Sequence, residues 1–286
     1  MLNLLRRLRH GPLRRLGPLW VRLGNGYRRL ISSLGLSVAQ NIGPYGPFRL
    51  DARFAFSDFE HWGGAHNDGF VDCVEACRGR HCVFDIGAHI GLVSLPVASV
   101  LADDGLLVSF EPAVANRRLL ERHLSLNTCN DRVRVEPFLV GAENRGDVLL
   151  HESDEASGMN SLAAREGDYR QVQHVQVSLD DYCRRHSLTP EVIKIDVEGA
   201  ELGVLEGARE ILDRYRPDIF LSVHPWHIAQ LGRSTDELAV LIDELEYDCH
   251  DGDGRMVTEF ALREYRLVPR QGSQPESLSR IADEYQ

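Results

Sequence analysis

Residues 83–91 read VFDIGAHIG, and this stretch decides the fold. The apolar run that ends at Ile86 suits a parallel strand buried on both faces. Asp85 places a carboxylate at the end of that strand. Gly87 and Gly91 then permit a tight turn at the start of a helix, with Ala88 and His89 between them, and let a ligand come close to the backbone. The helix itself is GLVSLPVASVLA, with Pro96 in its early turns, where the missing N–H is tolerated.

The same alternation runs outward along the chain. LLVSFEP (106–112) is a second strand, residues 113–127 an amphipathic helix, and RVRVEPFLV (132–140) a third strand. EVIKIDVE (191–198) is followed by a helix from Ala200 to Tyr215, and DIFLSVH (218–224) by a helix over 234–246 that Ser234 caps. MVTEF (256–260) reads as a late strand. Repeated β-α-β units predict an α/β fold, a doubly wound and mostly parallel sheet with helices on both faces. Residues 141–180 break the rhythm. There DVLLHE and HVQVSL look like strands around a polar loop, an insertion near the substrate side. The expected organisation is an Arg-rich arm and connector over 1–65, the catalytic domain over 66–268 and a polar tail over 269–286. A helix over Asn67 to Arg78 leads into the domain.

Charge is uneven. Of 286 residues, the first 50 hold nine Arg and no acid, whereas the rest holds all 43 acids against 23 basic residues. That acidic body excludes nucleic-acid binding through broad phosphate contacts. The arm, with Leu5, Leu8, Leu16, Trp20 and Leu23 at roughly helical spacing but broken at Gly11-Pro12 and Gly17-Pro18, suits either peripheral contact with an anionic membrane or a locally packed extension. No apolar run approaches the ~20 residues of a membrane span, and no secretory signal is legible, so a cytoplasmic enzyme body is expected. Six cysteines without a CxxC pair or zinc spacing read as free thiols. Lysine occurs once, at Lys194.

Two carboxylates give the site its character. Glu111 ends the second strand, 20 residues after Gly91, where it can accept hydrogen bonds from the two hydroxyls of a ribose. A charge serving only the N-terminus of the next helix is the alternative. A nicotinamide dinucleotide is disfavoured, because the turn lacks the middle glycine of G-x-G-x-x-G and Asp85 would face a pyrophosphate. Asp85 suits the cationic amino group of a methionine moiety instead.

The third motif is IKIDVEGAELGVLEGA, residues 193–208. With it the chain resembles the FkbM-type methyltransferases. Lys194, Asp196, Glu198, Gly199 and Glu201 stand as in that family's strand-and-helix pattern. So do the turn from Asp85 to Gly91, Phe110-Glu111-Pro112, Ser157 to Leu162 and Ser178 to Tyr182. The pattern departs at His89, where the family more often has Asn. The resemblance implies a Rossmann-like methyltransferase fold. It also implies methyl transfer from S-adenosylmethionine to a hydroxyl oxygen, on a sugar, glycan or natural-product acceptor. By the same resemblance Asp85, Gly87 and Gly91 line the methionine part of the cofactor, together with the Ala88-His89 turn, and Glu111 holds the ribose.

The residues themselves suggest how an acceptor is activated. The methyl group of a sulfonium is already electrophilic, so the protein must align an oxygen and remove its proton. Asp196 and Glu198 stand on either side of Val197 and are expected to point apart, one toward the reacting centre. Asp196 is expected near the methyl group and Glu198 as a positioning group. Lys194 shares the Asp196 face and either pairs with it or donates to substrate. His224, ending the next strand with His227 three residues on, is a candidate general base. Asp196 and His224 alone do not define a metal site, and none is expected. Trp226 is a candidate wall of the acceptor pocket, and His61, Trp62 and His66 are candidates for a lid. A non-catalytic module anchored by the basic arm, and an NAD-dependent oxidoreductase, are the competing readings.

Overall fold

A computed structural model describes residues 34–64, 67–153, 160, 162 and 169–270. Most of the Arg-rich arm, His66, most of the 157–162 motif and the tail beyond Arg270 lie outside the described residues. The chain opens with a hairpin, β1 (Ser37–Ile42) and β2 (Tyr45–Asp51). Then come α1 (Phe70–Ala76), β3 (Cys82–Ile86), α2 (Ser94–Val100), β4 (Leu106–Phe110), α3 (Val114–Leu126) and β5 (Val133–Glu136). The insertion contributes β6 (Leu139–Val140), β7 (Arg145–Ser153) and β8 (Tyr169–Val177). The second half runs α4 (Leu179–His186), β9 (Val192–Ile195), α5 (Glu201–Glu206), α6 (Arg209–Tyr215), β10 (Asp218–Val223), α7 (Pro225–Gln230), α8 (Thr235–Glu244), β11 (Tyr247–His250) and β12 (Arg263–Pro269).

Among the described residues seven strands form one sheet in the order β11-β12-β10-β9-β3-β4-β5. Strands β10, β9, β3, β4 and β5 are mutually parallel, whereas β12 runs antiparallel between β10 and β11. The expected doubly wound α/β architecture is present. One apolar core lies beneath α4, α5, α6 and α8, with Phe84, Ile195 and Leu221 in it, and a second lies beneath α1, α2 and α3, with Val83, Leu107 and Phe220. Neighbouring residues of a strand thus enter opposite cores, as period-2 geometry requires.

Several elements differ from the sequence expectation, each for a local reason. RVRVEPFLV is two strands, because Pro137 has no N–H to give a ladder and β6 departs to pair with β8 in a second sheet, β6-β8-β7. The strand expected through Leu179 ends at Val177, since the Ser178 side chain accepts from the Asp181 N–H and starts α4. The helix expected over 200–215 is split at Gly207. A Cβ there would meet Gly141 O at 2.1 Å, and the Gly207 carbonyl accepts from the Asp180 N–H. In return the Asp180 carboxylate accepts from Glu210 and Ile211 N–H, capping α6. MVTEF is not a strand: Met256 makes one isolated bridge and is 64% exposed, whereas Tyr265 and Leu267 of β12 are buried. Residues 37–51, expected in a connector, form the hairpin.

His123 ties that hairpin to the body. It accepts from the Asp51 N–H at 3.0 Å through Nε2 and donates from Nδ1 to Ile90 O at 2.7 Å. Burial pushes it down to about 4, which keeps the ring neutral for this double role. The six cysteines are unpaired, five of them buried. Among the described residues no helix is long and apolar enough to cross a membrane.

Candidate active site

The strand ends of β3, β4, β9 and β10 meet beyond the carboxyl edge of the sheet, where open α/β sheets bind ligands. The glycine turn is fixed from both sides. Gly87 and Ala88 N–H both donate to the Phe110 carbonyl at 3.0 Å, and Asp196 N–H donates to Ile86 O at 2.9 Å. Gly87 has φ +86°, and a Cβ on it would lie 1.8 Å from the Asp196 carbonyl oxygen. The residue is therefore obligatory for the approach of β3 to β9. Gly91, at φ +91°, packs against Leu120, whose side chain would lie 2.8 Å from a Cβ there.

Two clefts open here. The first, about 600 Å³ including space open to solvent, has Glu111 and Asn116 on one side and Phe138, Leu139, Val140 and Leu150 on the other. Asn160 and Leu162, the described residues of the 157–162 motif, also line it. The second, about 1010 Å³ by the same measure, is lined by Asp85, Lys194, Ser222, His224 and Arg263, with Trp62 and Leu262 at its apolar side. Gly87, His89, Asp196 and Glu198 line both. Trp62 thus borders the second cleft. His61 is instead exposed and paired with Asp58, and Trp226 is 67% exposed and borders neither cleft.

Glu111 is buried and accepts from His89 N–H at 2.8 Å, Ala113 N–H at 2.9 Å and Asn116 Nδ2 at 3.3 Å. Two carboxylate oxygens offer about four lone-pair positions, so acceptor capacity remains for a ligand. Burial still pushes its carboxyl up to about 8, and burial pushes Asp85 up to about 6, although Ser94 donates to Asp85 at 2.6 Å. Both folded values exceed those of the unfolded chain, so between them the folded state binds more protons. Stability must then fall as pH rises, from about 3.8 to about 6 through Asp85 and from about 4.5 to about 8 through Glu111. The ligand-free protein is expected to melt lower at pH 8 than at pH 5, with a flatter dependence in Glu111→Ala, as read by thermal melts.

The acidic residues of the third motif converge. β9 ends at Ile195, and Glu198 takes φ +51°, a left-handed conformation uncommon for a residue with a Cβ. The expectation that Asp196 and Glu198 point apart fails: residues two apart in an extended strand share a face, and past the strand end the left-handed Glu198 still brings both carboxylates to His224. Asp196 Oδ1 and Glu198 Oε1 both lie 3.6 Å from His224 Nε2. His224 Nδ1 donates to Glu201 Oε1 at 2.8 Å, and Glu201 is fully buried. His227, stacked on His224 at 5.7 Å, places Nδ1 2.7 Å from Glu198 Oε2. Burial pushes His224 down, but the Glu201 hydrogen bond and the Asp196 and Glu198 charges outweigh it, and the ring sits above its ordinary value.

Lys194 is buried beneath this cluster. Its Nζ donates to Ser222 Oγ at 2.7 Å and lies 3.5 Å from Asp196 Oδ2 and 3.6 Å from Glu264 Oε1. Burial pushes the ammonium down, but Glu264 and Asp196 override it and hold Lys194 above its ordinary value. Burial likewise pushes Asp196 up, and Lys194 and His224 hold it below the usual carboxylate range. Of the two roles open to Lys194, the structure shows the ion pair. Glu264 comes from β12, 70 residues beyond Lys194 in the chain, and no local pattern marks it. Glu201 was visible only as part of the third motif, without its role as partner of His224.

Residues 85–249, more than half of the chain, match the methyltransferase FkbM domain. The chain belongs to the FkbM methyltransferase family. The FkbM match begins at Asp85 and spans the glycine turn, Glu111 and the convergent acidic cluster. The family implies S-adenosylmethionine as methyl donor. Among solved structures, the FkbM methyltransferase of Methylobacillus flagellatus is 20% identical, with a TM-score of 0.43 over 66% of this chain and 44% of that one. The chain therefore spans less than half the length of that relative. A precorrin-6y C5,15-methyltransferase of Geobacter metallireducens is 12% identical, with a TM-score of 0.40 over 70% and 86% of the two chains. An O-methyltransferase of Bacillus cereus in complex with SAH is 13% identical, with a TM-score of 0.40 over 73% and 83%. No protein of curated function matches the chain.

The cleft residues suit the donor that the FkbM family implies. Gly87 and His89 line the first cleft, Glu111 is a buried acceptor just beyond β4, and the apolar wall at Phe138 to Val140 fits a flat base. Burial pushes His89 down to about 4, so its ring is neutral, and its Nε2 is buried without a hydrogen-bond partner.

Proposed function

We propose that this FkbM-family protein transfers a methyl group from S-adenosylmethionine to a hydroxyl oxygen, on a sugar, glycan or natural-product acceptor. One observation carries the reading: the two clefts share Gly87, His89, Asp196 and Glu198, so a donor in the first and an acceptor in the second would meet at the acidic cluster. When bound, the donor supplies a methyl group already activated by its sulfonium. The chain's own task is to orient the acceptor oxygen and take its proton. In this reading Glu111 accepts from the ribose, Gly87 and Ala88 shape the turn, and Asp85 sets the charge beneath it. Asp196 stands where the clefts join. Glu198 and His224 complete the group that receives the proton, and Lys194 keeps Asp196 ionised. The acidic surroundings favour neutral or cationic acceptors over polyanions.

A calorimetric and thermal-shift titration with S-adenosylhomocysteine, with NAD in parallel, tests the reading. A ligand that binds only the folded state raises its stability by mass action. The expected result is a saturable rise with S-adenosylhomocysteine alone. Glu111→Ala should weaken that binding by about 10- to 100-fold, the loss of one or two buried hydrogen bonds. Asp196→Ala should keep the affinity within a few-fold and lose turnover. A rise with NAD and none with S-adenosylhomocysteine would overturn the proposal.

A further inference from the structure

Asp196, Glu198 and His224 each offer one ligand atom, and these atoms lie within 4.8 Å of one another. In each residue the other polar atom is engaged elsewhere. Asp196 Oδ2 faces Lys194 Nζ at 3.5 Å, Glu198 Oε2 faces His227 Nδ1 at 2.7 Å, and His224 Nδ1 donates to Glu201 Oε1 at 2.8 Å. The ligand atoms that approach one another are Asp196 Oδ1, Glu198 Oε1 and His224 Nε2. Their 3.6 Å separations from Nε2 are too long for hydrogen bonds. Ligands that share a cation at about 2.1 Å stand roughly 3.0–3.4 Å apart, so a small inward movement closes the set.

A second observation points to a ligand at the same place. His89 lines the cleft wall beside Asp196 and Glu198, and its buried Nε2 has no hydrogen-bond partner. Buried ring nitrogens are rarely left so without a bound group to meet them. The buried Glu201 carboxylate behind His224 adds the outer partner that metal-bound imidazoles carry, a carboxylate that fixes the tautomer and leaves Nε2 as the donor atom. The charges agree. Asp85, Asp196 and Glu264 act on Lys194, the single lysine of the chain, while Glu198 and Glu201 flank His224.

We propose that Asp196 Oδ1, Glu198 Oε1 and His224 Nε2 form a divalent cation site at the junction of the two clefts. Its open positions face the second cleft. Two carboxylates and one imidazole suit a hard cation of the Mn²⁺ or Mg²⁺ class, and the imidazole favours Mn²⁺. With the ion bound these three groups would serve as its ligands in place of the proton-accepting role; the ion would orient the acceptor hydroxyl by its oxygen and lower its pKa, so that the proton passes to solvent in the second cleft. That role rests on the methyl-transfer reading; the binding of the ion does not.

The test is a titration of the purified full chain with Mn²⁺, followed by loss of the free-ion paramagnetic resonance signal. The expected result is uptake of about one ion per chain, half-saturated below about 1 mM. Asp196→Asn and His224→Ala should each weaken uptake at least tenfold, and Glu201→Gln, which only orients His224, by about 10-fold or more. Thermal melts of each variant, and its binding of S-adenosylhomocysteine, show that it is folded. No saturable uptake by the wild type below about 1 mM, or equal uptake by the folded variants, overturns the site. Uptake without S-adenosylhomocysteine binding would leave the site standing and remove the methyl-transfer reading.

Discussion

Gly87→Ala is expected to lose the fold around the site. Its Cβ would stand 1.8 Å from the Asp196 carbonyl oxygen, which belongs to backbone and cannot swing aside. The position also needs φ +86°, a region that residues with a Cβ avoid. Relief requires β3 and β9 to separate at their carboxyl ends. That breaks the Asp196 N–H bond to Ile86 and disturbs the two bonds that Gly87 and Ala88 make to Phe110. Clash and backbone strain together put the cost above about 4 kcal/mol, among the largest effects of single substitutions. For a chain of this size that lowers the melting temperature by roughly 8–16 °C. S-adenosylhomocysteine binding should vanish as well. A variant that melts within 2–3 °C of the wild type, about 1 kcal/mol, would show that the turn yields more easily than this geometry allows.

Lys194→Met should be nearly as damaging, for an electrostatic reason. The ammonium is buried against Glu264, itself buried, and against Asp196. Removing one partner of a buried pair leaves the other charge uncompensated, at a cost of about 3–5 kcal/mol. The loss should be smaller at pH 5 than at pH 8, because burial already raises Glu264 and the orphaned carboxyl can take up a proton at the lower pH. The double variant Lys194→Met/Glu264→Leu should recover much of the stability, since an apolar replacement of the whole pair is close to neutral. Additive losses in the double variant would show that the two residues are not coupled.

The parts of the site written as local patterns were legible from residue order. The apolar run before Gly87, the carboxylate at the end of the next strand, and the acid-rich end of β9 each specify a strand terminus within a few residues. What was hidden depends on backbone conformation or on distant neighbours. Asp196 and Glu198 were expected to diverge although residues two apart share a strand face, and nothing in Val197-Glu198-Gly199 announces the left-handed Glu198 that brings both to His224. Glu264 was hidden because its partner is reached only through the sheet. MVTEF and EYRLV have similar local composition, and only burial of Tyr265 and Leu267 against the core separates the loop from the strand. Pro137 and Gly207 were visible, yet their effects needed β8 and Gly141 to be in place.

The antiparallel β12 has a consequence for how the protein is made. Domains emerge from the ribosome N-terminal end first, at about 5–20 residues per second. β11 appears before β12, yet it reaches β10 only through β12. The last of the described strands is thus an interior one. Until it slots in, β10 is an open edge, β11 has no strand to pair with, and Lys194 waits without Glu264. The sheet and the charge balance of the site are completed together when β12 docks, so a nascent chain holds an unfinished edge at β10, open to mispairing, from the making of Val223 until Arg263 and the rest of β12 follow.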